Sequence, residues 1–327
     1  MSALRAPAPA PAHGGGRKGA VESSASWSRL DRIGLGLCWA AGIALCAICA
    51  AILLFMLFKG LQFLRPALLV EHPLADLDQS RTGGFLDPLI GTVMLTIIGI
   101  AFALPVGVAT SVWLVEYGRP AWLARAVESG IEIVAGTPSI VLAIFGLIIF
   151  QERVFGFLSF TAQGGSVFGR SFLTAGAMMA LLALPLVVGA TREALGAIPA
   201  HVREASYALG ASKARTIRRV LLPGARSGIA TGATLGMGRI AGDTAIVVIL
   251  LGASLQMQHG GGPPLYSILS GTGSTLTTYV YNNSPAGEGN APDKAYAAAF
   301  VLLVIVILLN FAVGAIGGRD RRVAWGR

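Results

Sequence analysis

The chain has 327 residues, of which 54% are hydrophobic and 13% charged, and its mean hydropathy is +0.70. A soluble domain carries about 25% charged residues, so the composition excludes an ordinary soluble protein and predicts a chain embedded in lipid. The net charge is +9, but the basic run of 203–226 has no interleaved series of aromatic side chains that could stack bases. We therefore expect no nucleic-acid partner and attribute the charge to loops that face anionic lipid.

Residues 1–28 alternate Ala and Pro and then become rich in Gly and Ser, which predicts a disordered cytoplasmic tail. A bilayer-spanning helix needs about 20 mostly apolar residues, and six later stretches meet this length. They are residues 33–58, 88–115, 130–150, 172–190, 227–252 and 295–316. Pro105, Pro138 and Pro185 lie inside three of them, where we expect kinks within continuous helices. The predicted fold is an all-α membrane protein with six transmembrane helices.

The distribution of Lys and Arg predicts the orientation of these helices. Eighteen of the 25 lie in the tail, after the second stretch, after the fourth stretch and at the C-terminus, whereas six lie in the opposite segments. Cytoplasmic loops carry the excess, so both termini are predicted to be cytoplasmic. The predicted divisions are the tail 1–28, a first transmembrane helix with its outer loop 29–87, a core transmembrane domain 88–318, and a basic cytoplasmic C-terminus 319–327.

The outer segment 257–294 is rich in Gly, Ser, Thr and Asn and is long for a simple connection. Long loops are usually functional or disordered. A docking surface for an external partner is one hypothesis for this loop.

A polar stretch lies between the fourth and fifth apolar segments. Pro199 suits the first turn of a helix, Gly210 is placed to end it in the left-handed conformation, and Ser212 can cap a second helix. Pro223 is expected to stop that second helix. The pattern predicts a short helix–turn–helix on the inner face of the membrane.

The second helix of this stretch has a polar and an apolar face, formed by Arg215, Arg218 and Arg219 on one side and by Ile217, Val220 and Leu221 on the other. This pattern is compatible with an amphipathic helix on the lipid surface. It is equally compatible with a rigid knob that another protein grips.

The same stretch resembles a conserved loop of the ABC importer permeases, E-A-A…G…I-x-L-P. The matching residues stand at the spacing of that family and are Glu204, Ala205, Gly210, Leu222 and Pro223. Ser206 replaces the second Ala of the motif, and Val220 replaces its Ile. The resemblance implies a type I ABC importer permease fold, in which residues 199–223 contain the cytoplasmic coupling helix that docks into a groove on a separate ATPase.

Over about 88–316 the chain is similar to the PstA-type permease subunits of bacterial phosphate importers. The matching segments are 136–141, 184–185, 191–195, 238–245, 281–285 and 295–299. PstC-type subunits share much of this pattern, and the Asn-Ser-Pro of the outer loop favours PstA. The resemblance implies a permease that forms half of an inorganic phosphate path in the bacterial plasma (inner) membrane. The implied partners are a PstC-like permease, a homodimeric PstB-like ATP-binding subunit, a PstS-like periplasmic phosphate-binding protein, phosphate and membrane lipid.

The printed sequence has no Walker A motif, so we expect a non-catalytic subunit that binds no cofactor itself. The resemblance implies that ATP and Mg are used by the partner ATPase. Cys46 and Cys49 have C-x-x-C spacing within the first apolar stretch, but no further ligands stand near them. We interpret them as small apolar side chains and expect no metal site.

The fifth apolar stretch contains Arg239 and Asp243, four residues apart and therefore on one face of a continuous helix. A charge at mid-bilayer costs roughly 2.5–3.5 kcal/mol. The two residues form either a neutralising pair or, as the resemblance favours, an anion site that includes Thr244. Gly228, Gly232, Gly236, Gly238 and Gly242 recur at a spacing that allows close helix contact.

Thr137 and Ser139 flank Pro138 in the third stretch. A broken helix there could present hydroxyls and backbone N–H groups to an anion on the substrate path. Hydroxyls bonded to their own helix are the alternative.

Two other functions compete with phosphate import. The first is a permease for another oxyanion such as phosphonate, molybdate or sulfate, because the coupling loop is shared by all importers of the family. The second is a self-contained secondary transporter or channel, against which stands the lack of a detectable inverted repeat in the sequence.

Overall fold

The computed structural model describes residues 29–74, 83–159, 169–252, 254–260, 263–285, 287, 289 and 291–317. The predicted tail 1–28 and the predicted C-terminal segment 319–327 lie outside these residues. The described part is mostly helical and shows no β-strand, only an isolated antiparallel bridge between Gln258 and Thr272.

In chain order the helices are α1 Arg29–Phe63, α2 Pro66–Val70, α3 Leu86–Val112, α4 Ala121–Gly136, α5 Ser139–Phe150, α6 Phe172–Gly196, α7 Ala200–Ala208, α8 Lys213–Thr216, α9 Leu222–Gly224, α10 Arg226–Ala241, α11 Pro264–Leu269, α12 Leu276–Asn283 and α13 Pro292–Gly317. Wider π-helical turns extend α3 over Trp113–Tyr117, join α8 to α9 over Ile217–Leu221, and follow α10 over Val247–Leu251. The chain divides into two compact units, Met1–Phe55 and Met56–Arg327. The packing described below concerns the second unit.

Within the described residues, four helices are long and apolar enough to cross a membrane: Arg29–Phe63, Leu86–Tyr117, Phe172–Gly196 and Pro292–Ala315. They confirm four of the six predicted stretches. Pro105 and Pro185 lie inside α3 and α6, which continue through them as expected.

The third predicted stretch is not one kinked helix over 130–150. It consists of α4 and α5, which meet at an angle of 110° and would make a fifth span if counted together. Thr137, between them, has the extended angles φ −79° and ψ 130°. The ring of Pro138 disfavours a helical conformation at the residue before it and lacks the N–H that would continue the helix, so the chain breaks there.

The fifth predicted stretch, 227–252, is also not one continuous helix. α10 ends at Ala241, residues 243 and 244 are non-helical, and a new helical segment follows that includes the turn Val247–Leu251. The side chain of Asp243 accepts a hydrogen bond from the N–H of Ile246, with Oδ2 and N 2.9 Å apart. This is the bond that an N-cap residue makes to the start of a helix, so the second segment has its own beginning.

Helices α3, α6 and α10 approach one another closely through glycines. A Cβ atom on Gly107 would lie 2.6 Å from a methyl group of Val187, and one on Gly228 would lie 2.1 Å from the Cβ of Ala194. Gly232 and Gly236 face the same stretch of α6, whereas Gly238 has no neighbour within 4 Å of that position. Three of the five predicted contact glycines therefore bring α10 against its neighbours.

The outer loop predicted over 257–294 contains two helices, α11 and α12. α12 packs into an apolar cluster in which the rings of Phe85 and Tyr279 lie 5.7 Å apart between centroids. Burial raises the pKa of Tyr279 to about 12. Within this loop α12 is therefore part of the core, whereas α11 has no buried residue.

Candidate coupling surface and candidate substrate path

The segment 199–224 forms two short helices joined by a tight turn, which we call the knob. Pro199 precedes α7 with φ −60° and ψ 146°. Gly210 follows α7 with φ +75°, a left-handed conformation that glycine adopts without steric cost. Ser212 caps α8, because its Oγ accepts a hydrogen bond from the N–H of Arg215 at 3.4 Å. The predicted turn and cap are confirmed.

The prediction that Pro223 stops the second helix is wrong. The chain continues from α8 through the turn Ile217–Leu221 into α9, and α10 begins at Arg226. The N–H of Leu222 bonds the carbonyl of Ile217, five residues back. This wider turn places Pro223 in the first turn of the next helical segment, where its missing N–H costs nothing.

The knob has the two faces that the sequence predicts. Its apolar face is buried in a cluster formed by Leu195, Ile198, Val202, Ile217, Leu221 and Ala225. Arg215, Arg218 and Arg219 are exposed. The tip is also exposed, and Leu209 there keeps 89% of its surface accessible. The exposed apolar tip is fixed to the protein by the buried cluster beneath it. Protein partners commonly bind exposed apolar surfaces of this kind.

The predicted coupling residues fall into two groups. Glu204, Ala205 and Gly210 are exposed on α7 and its turn. Leu222 and Pro223 instead line a cavity of about 460 Å³, together with Leu104, Pro105 and Val108 of α3 and with Arg218, Arg226 and Ile229. Only the first group belongs to the exposed tip.

Arg203 anchors the knob, and sequence reasoning missed this role. Its Nε donates to Oε1 of Glu116 at 3.0 Å, Nη1 donates to the carbonyl of Ile198 at 2.6 Å, and Nη2 donates to the carbonyl of Leu195 at 2.8 Å. The side chain of Glu116 is only 7% exposed. A buried carboxylate requires a hydrogen-bonded partner of opposite charge, and the guanidinium of Arg203 supplies it.

Two further contacts attach α8. Lys213 Nζ donates to the backbone carbonyl of Glu116 and lies 4.3 Å from the ring centroid of Tyr117. The hydroxyls of Ser206 and Thr216 share a hydrogen bond of 2.8 Å between α7 and α8. Glu116 thus bonds both helices of the knob: its side chain accepts from Arg203 of α7, and its backbone carbonyl accepts from Lys213 of α8.

The predicted substrate-path residues Arg239 and Asp243 do not pair. Arg239 is exposed in the last turn of α10, whereas Asp243 is buried beyond the end of that helix. No ion pair joins the two, although both belong to the described residues. The carboxylate of Asp243 caps the next helical segment, and its backbone carbonyl accepts the hydroxyl of Thr277 at 3.1 Å. A glycine followed by Asp-Thr is a helix stop and start signal that the sequence offered at 242–244.

Thr137 and Ser139 stand at the break between α4 and α5. The hydroxyl of Thr137 donates to the carbonyl of Ile133 at 2.7 Å, which is the own-helix bond considered as the alternative. Ser139 opens α5 and is partly exposed. Thr244 is partly exposed, and its carbonyl accepts the N–H of Val248 at 3.0 Å. Among the described residues, no hydrogen bond or ion pair connects Arg239 with any of these three.

Solved structures identify the class of protein. The chain superposes with TM-score 0.61 on a chain of a bacterial alginate ABC transporter, at 14% identity over 90% of this chain and 96% of that one. It superposes with TM-score 0.53 on a chain of the MetNI methionine ABC transporter, at 22% identity over 73% and 95% of the two chains. The fold is that of a type I ABC importer permease, a membrane subunit that does not itself hydrolyse ATP.

Sequence relatives narrow this class to a family. The chain belongs to the family of binding-protein-dependent transport system inner membrane components, whose model matches residues 103–321. The phosphate transport system permease protein PstA 1 of Mycobacterium tuberculosis (strain CDC 1551 / Oshkosh) is 32% identical over 73% of this chain and 72% of its own length. The protein PstC 2 of Mycobacterium bovis is 30% identical over 74% of this chain and 76% of its own length.

Proposed function

We propose that this chain is a permease subunit of an ATP-driven importer of inorganic phosphate and forms half of the translocation path. It lies in the bacterial plasma membrane with both termini in the cytoplasm. A PstC-like permease completes the path, a homodimeric PstB-like ATPase uses ATP and Mg, and a PstS-like periplasmic protein delivers phosphate. The names of the relatives support phosphate as the substrate.

The observation that carries this proposal is the charge of Arg239, which has no ion pair among the described residues. It ends a helix that packs within the transmembrane core, and its nearest acidic neighbour in sequence is used as a helix cap. A cation in the membrane that is not neutralised by its own chain is expected to face a polar path or a ligand. The guanidinium fork matches two oxygens of a phosphate, so Arg239 is placed to bind the anion as it passes.

Uptake by the complex in liposomes tests this role. We expect Arg239→Leu to assemble with its partners and to carry no phosphate, and Arg239→Lys to assemble and transport poorly because an ammonium lacks the planar fork. Arg125→Leu is the matched control, since the Nε of the exposed Arg125 bonds the carbonyl of Ala121 in its own helix and no ion pair of Arg125 occurs among the described residues. Full phosphate uptake by Arg239→Leu would show that Arg239 does not bind phosphate on the translocation path.

The same assay distinguishes phosphate from other oxyanions. Excess sulfate, molybdate or phosphonate should leave the uptake of labelled phosphate unchanged. Strong competition by one of them at equal concentration would assign that anion as the substrate instead.

The exposed tip of the knob is the surface proposed to couple to the ATPase. Glu204→Lys reverses a charge at this surface, and Gly210→Pro imposes φ near −65° where the turn needs +75°. We expect both variants to insert and both to lose ATP hydrolysis stimulated by the phosphate-loaded binding protein. Normal stimulation in both, with the ATPase still co-purifying, contradicts the assignment.

Cysteine labelling tests the orientation. In a background without Cys38, Cys46 and Cys49, a cysteine at the exposed position 208 should react only with reagents that enter the cytoplasm. A cysteine at the exposed position 281 should react from outside. The opposite pattern would invert the proposed topology.

A further inference from the structure

We infer that Arg203 is a positioning residue that transmits displacement of the knob to helices α3 and α6, an inference that rests on the proposed coupling function. Its guanidinium holds three elements at once. These are α7, which carries it; the π-helical turn that extends α3, through Glu116; and the end of α6 with the segment that follows it, through the carbonyls of Leu195 and Ile198. We call this set of bonds the clasp.

The clasp is rigid because all three bonds leave one planar group. A guanidinium offers its N–H donors in a fixed fork, so α7 cannot rotate about the clasp without breaking at least one bond. Glu116 cannot follow a separated Arg203 into water, because its side chain is 7% exposed. Lys213 ties α8 to the backbone of the same Glu116. A push on either helix of the knob therefore reaches the end of α3.

Packing contacts connect the clasp to the transmembrane core, so a displacement of the knob is passed from α3 to α6 and α10. Ser111, the residue before the last of α3, has its hydroxyl oxygen 2.8 Å from the carbonyl of Gly107 in its own helix and 3.1 Å from the carbonyl of Val188 in α6. A Cβ atom on Gly107 would lie 2.6 Å from the side chain of Val187, so the backbone of α3 packs directly against a side chain of α6 and a displacement of one helix bears on the other. α10 packs on α6 through Gly228 and Gly232. The route ends on the helix that carries Arg239.

A second arginine–glutamate pair provides a matched control. Arg192 Nη2 lies 2.6 Å from Oε1 of Glu128, and this pair joins α6 to α4. The side chains are 50% and 34% exposed, and among the described residues no hydrogen bond or ion pair joins them to α7 or α8. A substitution in this pair disrupts the same kind of arginine–glutamate interaction and leaves the contacts of the knob intact.

The test uses the complete complex, reconstituted with its second permease, ATPase and binding protein. The variants are Arg203→Lys, which keeps the charge but loses the fork, and Glu116→Gln, which keeps an acceptor oxygen. The ratio of ATP hydrolysed to phosphate imported should rise about tenfold in Arg203→Lys and less in Glu116→Gln, the range that a broken coupling contact produces. The amount of ATPase that co-purifies should stay unchanged, because the exposed tip is intact. Arg192→Lys should keep the wild-type ratio.

A purely structural role predicts something different. In that case hydrolysis and import fall together with the amount of assembled complex, the ratio stays constant, and the inference is overturned. A rise of the ratio in Arg192→Lys as large as in Arg203→Lys overturns it as well.

A distance measurement separates failure of this inference from failure of the proposed function. Spin labels at the exposed positions 193 and 208 report the separation of α6 from α7 in the chain itself. We expect a narrow distribution in the wild type and a broad one in Arg203→Lys. If the wild-type complex shows no ATP-dependent phosphate uptake, the proposed function fails while the labels still test the clasp. Identical distributions in wild type and Arg203→Lys overturn the clasp.

Discussion

The knob at 199–224 and the break at 242–244 both interrupt apolar helices with polar residues, but they treat charge in opposite ways. In the knob, the guanidinium of Arg203 is bonded to a buried carboxylate and two carbonyls. At the break, the carboxylate of Asp243 bonds the backbone N–H of Ile246, and Arg239 is exposed and has no ion pair within the part of the chain that the structure describes. Arg203 is thus neutralised by Glu116, whereas Arg239 has no ion pair among the described residues.

This difference in bonding indicates different roles for Arg203 and Arg239. A guanidinium whose donors are consumed by its own chain holds structure and has little capacity left for a ligand. A guanidinium that is not neutralised in a membrane segment costs free energy; Arg239 has no ion pair among the described residues, and in the proposed function its donors bind the anion. The bonding of the charge, rather than its place in the sequence, separates the two roles.

The largest expected effect that tests this contrast is on stability. Arg203→Leu leaves Glu116 buried and unpaired, which should lower the free energy of unfolding by about 3 kcal/mol. Arg239→Leu removes no ion pair of its own chain and should change it by less than about 0.5 kcal/mol. Denaturant unfolding of the purified chain in detergent measures both.

A double variant sharpens the same test. Replacing both members of a buried pair with apolar residues removes the unpaired charge, so Arg203→Leu with Glu116→Leu should recover part of the loss. Equal destabilisation by Arg203→Leu and Arg239→Leu would mean that the two arginines do not differ in the way described.

The parts of the knob that sequence could predict are those fixed by local chemistry. Gly210 marks a left-handed turn, and Ser212 caps the helix that follows it, because both requirements concern residues within a few positions. The alternation of buried Ile217 with exposed Arg218 follows helical periodicity. Three residues of the family motif, Glu204, Ala205 and Gly210, lie at the exposed tip and close together in the chain, whereas Leu222 and Pro223 do not belong to it.

The parts that sequence could not predict depend on distant residues or on breaks in the helices. Glu116 and Arg203 are 87 residues apart, and no local pattern relates them. The break at 242–244 was missed, although Gly242 and Asp243 are a helix stop and start signal, because apolar residues on both sides give one hydropathy peak that does not distinguish one helix from two. At Pro138 the sequence predicted either a kink or a broken helix, but the 110° angle between α4 and α5 depends on the neighbours against which they pack.

A smaller effect is expected at the cap of the broken helix. Asp243→Leu removes the acceptor for the N–H of Ile246 and should cost about 1 kcal/mol of stability, the usual value of a lost N-cap. Asp243→Asn keeps a side-chain oxygen in the same place and should cost only a few tenths of that. The two variants are compared by their unfolding free energies. A large loss in Asp243→Asn would show that the negative charge, and not the cap, is what this position needs.

The smallest effect is expected where an ion pair is open to solvent. Arg192 and Glu128 are closer together than Arg203 and Glu116, at 2.6 Å against 3.0 Å, so distance alone would rank the Arg192 pair as the stronger. Their side chains are half and one-third exposed, and water replaces the lost partner when one of them is removed. Pairs of this kind contribute about 0.2–1 kcal/mol, and Arg192→Ala should fall in that range and shrink further at high salt because exposed charges are screened. The unfolding free energies of Arg192→Ala and Arg203→Ala, measured at low and at high salt, test this difference. Loss of salt dependence in Arg192→Ala, or a loss of stability as large as in Arg203→Ala, would show that burial does not set the strength of these two pairs.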